Sequence, residues 1–157
     1  MMSSAFVPPP VCYRLAYALL RLYWFVFRPG VRGVRCVIER GGEVLLIRHT
    51  YGERRWYFPG GAVKRGEEPE AAARREAEEE VGIRLPRLVR FGEFTSTDKH
   101  MRDHVYCFCG VAPSADVKTH RGEVREARWF AWDELPEDLS PDALRVIERY
   151  TRRAAES

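Results

Sequence analysis

Between Pro69 and Val81 the chain runs through Ala, Glu and Arg with no Gly and no Pro after the first position, and it stops at Gly82. Such a segment strongly favours an α-helix, and the glycine behind it supplies the left-handed residue that ends one. The flanking segments follow a different period. Val34–Ile38 and Val44–Ile47 alternate with period two around Arg40-Gly41-Gly42, which predicts a hairpin. Residues 87–96, 103–112 and 124–131 read as further strands. Ser140-Pro141 offers an N-cap and a first-turn proline for a terminal helix that should turn Leu144, Ile147 and Tyr150 inward. This order of elements predicts an α/β (α+β) fold. At 157 residues and 45% hydrophobic content the chain can bury one core, which is assigned to residues 33–157.

Composition adds a charge asymmetry. The net charge is +3, from 26 basic and 23 acidic residues. Arg14, Arg21, Arg28, Arg32 and Arg35 give residues 1–38 a charge of +5 with no acid, so the rest carries −2. Residues 1–32 are expected to be a flexible, Pro-rich tail and a basic amphipathic helix over residues 11–27, ended by Arg28, Pro29 and Gly30. Arg21 limits each apolar run there to six residues, far short of the roughly 20 that a membrane span needs. Arg14, Arg21 and Arg28 form a stripe that leaves three readings open for residues 11–28: packing on the domain, a homodimer contact, or peripheral membrane contact with snorkelling arginines. Because the positive charge is segregated in this leader, no nucleic-acid partner is expected. Cys12, Cys36, Cys107 and Cys109 form no C-x-x-C pair. Buried thiols are the reading for Cys107 and Cys109, with metal binding beside His100 or His104 as the alternative. The expected setting is reducing and cytoplasmic, at the membrane surface if the leader binds there.

The predicted helix breaks local rules in one place. Glu76, Glu79 and Glu80 share one side at spacings of three and four, where like charges repel by about 0.2–0.5 kcal/mol per pair. They also occupy the C-terminal half, where the helix dipole disfavours anions. A solvated acidic face is the bland reading. A hard divalent cation with oxygen ligands would relieve the repulsion, and Mg²⁺ suits a site that also engages phosphates; Mn²⁺ is admissible.

Residues 61–83, GAVKRGEEPEAAARREAEEEVGI, resemble the Nudix hydrolase signature G-x5-E-x7-R-E-U-x-E-E-x-G-U, with U apolar. Its fixed positions fall on Gly61, Glu67, Arg75, Glu76, Glu79, Glu80 and Gly82, and Ile83 fills the last apolar place. Ala77 departs from the usual larger aliphatic residue. The resemblance implies an α/β/α sandwich with a mixed sheet. It also implies that Glu76, Glu79, Glu80 and the Gly60 carbonyl hold metal, and that Arg75 pairs with Glu67 to hold the loop against the helix. Ionised water would then attack phosphorus in a diphosphate, with Glu79 the best candidate to activate it. The family often adds a carboxylate six residues before a tryptophan, which here is Glu123 before Trp129; Glu126 is the alternative.

Substrate residues are less marked. Arg48, leading into Trp56-Tyr57-Phe58, could reach a phosphate or be structural. His100, Arg102 and His104 could recognise substrate or be solvated loop residues. At least two of the three aromatics are expected in the core. The markers that distinguish NADH, ADP-ribose, dinucleoside polyphosphate and coenzyme A enzymes are absent. The resemblance therefore implies a diphosphate-containing small-molecule substrate, with a nucleoside di- or triphosphate as the default. An ADP-ribose-type pyrophosphatase and a catalytically silent nucleotide-sensing module remain the alternatives.

Overall fold

The computed structural model describes residues 32–50, 52–96, 103–119 and 122–156. The expected leader helix over residues 11–27, Cys12, His100 and Arg102 lie outside the described residues.

Five strands and two helices follow one another as β1 (Arg32–Arg40), β2 (Glu43–His49), α1 (Pro69–Val81), β3 (Val89–Ser96), β4 (Asp103–Val111), β5 (Val124–Ala131) and α2 (Pro141–Glu156). The sheet order is β3-β4-β1-β2-β5, and it is mixed: β1 runs parallel to β4, and the other neighbours are antiparallel. Gly41 and Gly42 both take positive φ, 59° and 84°, which a tight hairpin with native strand twist requires.

Alternation along β1 assigns its residues to two cores. Val34, Cys36 and Ile38 join Ala72, Ala73, Ala77 and Val81 of α1 on one face. Val37 joins Cys107, Ala143 and Val146 on the other, under α2. Three alanines line the buried side of α1, so Ala77 is part of a small-residue stripe that lets the helix lie close to the sheet. The helix ends as expected: Gly82 has φ 69°, its N–H donates to the Glu78 carbonyl, and the Ile83 N–H donates to Ala77. On α2 the inward stripe is shifted. Ala143 and Val146 are buried and Ile147 and Tyr150 half-buried, but Leu144 is 55% exposed. Ser140 caps this helix through Oγ to the Ala143 N–H at 3.1 Å, and small Ala143 takes the closest approach to the sheet.

β1 and β2 pair only at the hairpin end, and the chain from Trp56 to Ala62 fills the gap between their far ends. Val34 N–H donates to Gly61, Cys36 N–H to Pro59, and Ile47 and Tyr57 exchange both backbone bonds. Trp56 and Phe58 are buried between these strands and Tyr57 is half-buried, as alternation requires. Gly60 is fixed here by contact. It has φ 153°, and a Cβ would lie 2.1 Å from the Val34 carbonyl oxygen. Gly60→Ala should therefore cost about 3 kcal/mol or more and lower Tm by roughly 6–12 °C in thermal unfolding. A melt within about 2 °C of the parent would contradict this packing.

Candidate active site

The loop from Gly60 to Glu68 and the outer face of α1 carry the acidic cluster. Arg75 organises it. Its Nε and Nη2 donate to the two oxygens of Glu67 at 2.9 and 3.0 Å, a fork-to-fork pair. Nη2 also donates to the Ala62 carbonyl at 3.0 Å, and Nη1 reaches Glu76 at 2.7 Å and Glu79 at 3.0 Å. Glu67 further accepts from the Lys64 N–H at 2.9 Å. The Arg75 bond, aided by that N–H, pulls the Glu67 carboxyl down to about 2, while the carboxylates, Glu67 first, raise the Arg75 guanidinium further above its ordinary value. Lysine cannot reproduce this fork. Arg75→Lys should weaken the apparent Mg²⁺ dependence of turnover about 10- to 100-fold, the usual cost of losing a group that orients metal ligands. A Mg²⁺ titration of activity reads this directly, and an unchanged midpoint would remove Arg75 from that role.

Glu80 has the opposite surroundings. It is 4% exposed, and its Oε2 accepts from the Gly60 N–H at 2.8 Å. Burial pushes its carboxyl up to about 8; the Gly60 N–H opposes the rise, neighbouring Glu76 and Glu123 add to it, and Arg35 opposes it. Glu76 rests against Gly61 so closely that a Cβ there would lie 2.6 Å from its carboxyl carbon. Glu79 is exposed. Glu123, in the loop before β5, is exposed and near enough to act on Glu80, and its carbonyl accepts from the Thr50 N–H.

The donor chemistry fits a hard divalent cation: carboxylate oxygens around a glycine whose side-chain space is taken by one of them, and a buried carboxylate that stays anionic only with help. Among the described residues, no three His, Cys, Asp or Glu side chains converge tightly enough to hold an ion as they stand. Glu76 and Glu79 are turned onto Arg75 instead, so filling the site requires them to rotate.

The expected substrate residues are more scattered. Arg48, on β2, is held by Glu126 at 3.4 Å and Asp138 at 2.5 Å and lies over Trp56, 4.3 Å from the ring centroid. Glu126 also takes Arg128 at 2.9 Å, whereas the charge of Glu123 acts on Glu80. His104, at the start of β4, meets Glu93 at 3.1 Å and the edge of Tyr106. Cys36, Cys107 and Cys109 are free thiols; Cys36 and Cys107 are fully buried and Cys109 half-buried, and burial raises all three, Cys107 to about 12.

A family model for the NUDIX domain matches residues 29–150, more than three quarters of the chain. The chain belongs to the NUDIX family. It is 31% identical over 137 residues to a Methanocaldococcus jannaschii protein named ADP-ribose pyrophosphatase, covering 85% of this chain and 79% of that one. It is 32% identical over 112 residues to diphosphoinositol polyphosphate phosphohydrolase 2 of Rattus norvegicus, covering 70% of this chain but only 57% of the relative. Among solved structures, a MutT NUDIX hydrolase from Burkholderia pseudomallei superposes with a TM-score of 0.71 at 27% identity, over 77% of this chain and 98% of that one.

In this Nudix domain the signature residues lie on one loop and one helix, with Arg75 bonded to Glu67, Glu76 and Glu79. What the sequence reading did not mark is the charge on the other side of the sheet. Arg35 appeared there only as part of the basic leader. The available signal was a single arginine inside the alternating apolar run Val34–Ile38, since a charge within a buried strand is expected to have a partner.

Proposed function

We propose that this Nudix domain is a divalent-cation-dependent pyrophosphohydrolase that cleaves the diphosphate of a nucleoside diphosphate linked to another moiety, with nucleoside di- and triphosphates as the default substrates. The observation that carries the reading is Glu80, a buried carboxylate held by the Gly60 N–H with Glu76 and Glu123 around it. A binder of nucleotides alone has no use for such a destabilising cluster. Glu76, Glu79, Glu80, Glu123 and the Gly60 carbonyl are the groups that would hold Mg²⁺. When bound, the cation neutralises charge developing on the diphosphate oxygens and lowers the pKa of water. Glu79, exposed and close to the helix surface, takes the proton from the attacking water at a carboxylate oxygen. Arg75 holds the loop, and with it the Gly60 carbonyl, at a constant distance from α1. A second reading, hydrolysis of ADP-ribose, is favoured by the archaeal relative, which matches over most of both chains.

Among the described residues no helix is long and apolar enough to cross a membrane, and the three described cysteines are free; we infer a reducing compartment. The deciding experiment incubates the full chain with Mg²⁺ and a panel of nucleoside triphosphates, nucleoside diphosphates, ADP-ribose and dinucleoside polyphosphates. Release of phosphate, pyrophosphate or nucleoside monophosphate from at least one supports the hydrolase. Tight nucleotide binding with no turnover of any panel member would replace it with the sensing module.

A further inference from the structure

Arg35 carries a buried donor for which no acceptor is present among the described residues. It lies on the α2 side of β1, opposite Cys107 in the ladder. Its Nη1 donates to the Val34 carbonyl at 2.9 Å and its Nη2 to Asp142 Oδ2 at 3.2 Å, while its Nε is buried with no partner among the described residues. An unpaired buried N–H of a guanidinium is costly and rare. The Asp142 carboxylate is shared. Ser96 donates to its other oxygen at 3.3 Å, Arg145 donates to Ser96 Oγ at 3.2 Å, and Arg145 lies 3.9 Å from Asp142 itself. These distances are long for charge-assisted bonds, which close to about 2.7–2.9 Å when the partners are well matched. Arg90 and Arg149 add positive charge around Cys107, against Asp142 there and Asp103, which faces Ser96 across the β3–β4 ladder. The network is loosely bonded around Asp142, while Arg90 and Arg149 have carboxylate partners of their own in Glu93 and Glu148.

Its position links it to the acidic cluster. The Val34 carbonyl that accepts from Arg35 is the one that would meet a Cβ on Gly60 at 2.1 Å, and that Cβ would lie 3.0 Å from Arg35 Cα. Gly60 in turn holds Glu80. The guanidinium therefore lies one backbone layer from the candidate metal centre, on the opposite side of the sheet from α1. We propose that Arg35, with Arg145 and Ser96 beside it, is an anion subsite that takes a phosphoryl group of the substrate other than the diphosphate linkage being cut. Phosphoryl oxygens match the arginine fork and satisfy Nε, and the shared Asp142 releases Arg35 at little cost because its bonds are long. The inference rests on the hydrolase reading for its role in turnover, and it selects among substrates. A nucleoside triphosphate or another phosphorylated diphosphate is favoured over a nucleoside diphosphate sugar with an uncharged remote group.

The full chain is titrated with inorganic phosphate in EDTA, where no turnover interferes, and binding is followed by calorimetry and by NMR. Saturable binding is expected, weakened about 10- to 100-fold by Arg35→Gln, the range for a lost bond to a charged group, and weakened less by Arg35→Lys, which keeps the charge but not the fork. Arg145→Gln, on the more open face of α2, should weaken it several-fold and keeps the test alive if Arg35→Gln does not fold. With Mg²⁺, Arg35→Gln should raise KM for a nucleoside triphosphate about tenfold or more while leaving KM for a nucleoside diphosphate sugar within about twofold. Phosphate binding that is absent, or equal in parent and both Gln variants, overturns the subsite, as does an equal rise in both KM values. Arginine-dependent phosphate binding in a chain that hydrolyses nothing supports the subsite and overturns the hydrolase reading instead.

Discussion

Glu79→Gln is expected to lower kcat by about 10²–10⁴-fold, the range supplied by a positioned acid–base group, while the protein keeps its fold. The substitution removes a charge and leaves the shape. Glu79 is exposed, and its ion pair is with Arg75, which retains Glu67, Glu76 and the Ala62 carbonyl. Loss of this partner should change Tm little, since exposed pairs contribute about 0–1 kcal/mol. Single-turnover kinetics at saturating Mg²⁺ separates the chemical step from metal binding. Parent-like turnover in this variant would remove Glu79 from the reaction, and a loss fully restored by raising Mg²⁺ would make it a ligand only.

Glu80→Gln should move stability and activity in opposite directions. The folded protein holds the Glu80 proton up to about pH 8, because burial outweighs the Gly60 N–H, whereas the unfolded chain releases it near the ordinary carboxylate value. The folded state therefore binds more protons between those limits, so this group's contribution to stability falls as pH rises through that window and levels off above it. Glutamine can still accept the Gly60 N–H and carries no charge to desolvate. In EDTA at pH 8 the variant should be more stable by on the order of 1–3 kcal/mol, or roughly 3–10 °C in Tm, and the gap should close towards pH 5. Turnover with Mg²⁺ should fall at least about 100-fold, because a neutral amide is a poor ligand for a hard cation. A variant that melts below the parent at pH 8 without metal would mean that Glu80 is not the destabilising charge described. Together the two variants separate a group that acts on water from one that holds metal.

The elements were legible in the sequence where one residue type decides the local conformation. Gly82 ends α1, Gly41 and Gly42 turn the first hairpin, and Ser140-Pro141 opens α2, because positive φ, a missing Cβ or a short hydroxyl acts without reference to the rest of the chain. Leu144 was misplaced for the complementary reason. A helix of mixed Ala, Val, Leu and Ile offers several apolar stripes, and the sheet it packs on chooses among them by size. Ala77 looked like a defect against the family pattern; next to Ala72 and Ala73 it is what lets the helix approach.

The signature glutamates were legible as a group, since three acids at spacings of three and four repel wherever the helix lies. Their separate characters were not. Glu79 and Glu80 are neighbours in sequence, yet one faces solvent and the other is buried against Gly60. That difference comes from which side of α1 meets the sheet. Sequence alone determined the elements, the acidic cluster and the family, because periodicity, capping and like-charge spacing are local. Tertiary structure decided that Glu80 would be desolvated, that Arg75 would bind three carboxylates at once, and that Arg35 would lie beneath Gly60 with a donor to spare. Burial and net charge at a point depend on every chain segment that reaches it, and those segments lie up to a hundred residues apart, as Arg35 and Asp142 do, 107 positions from one another.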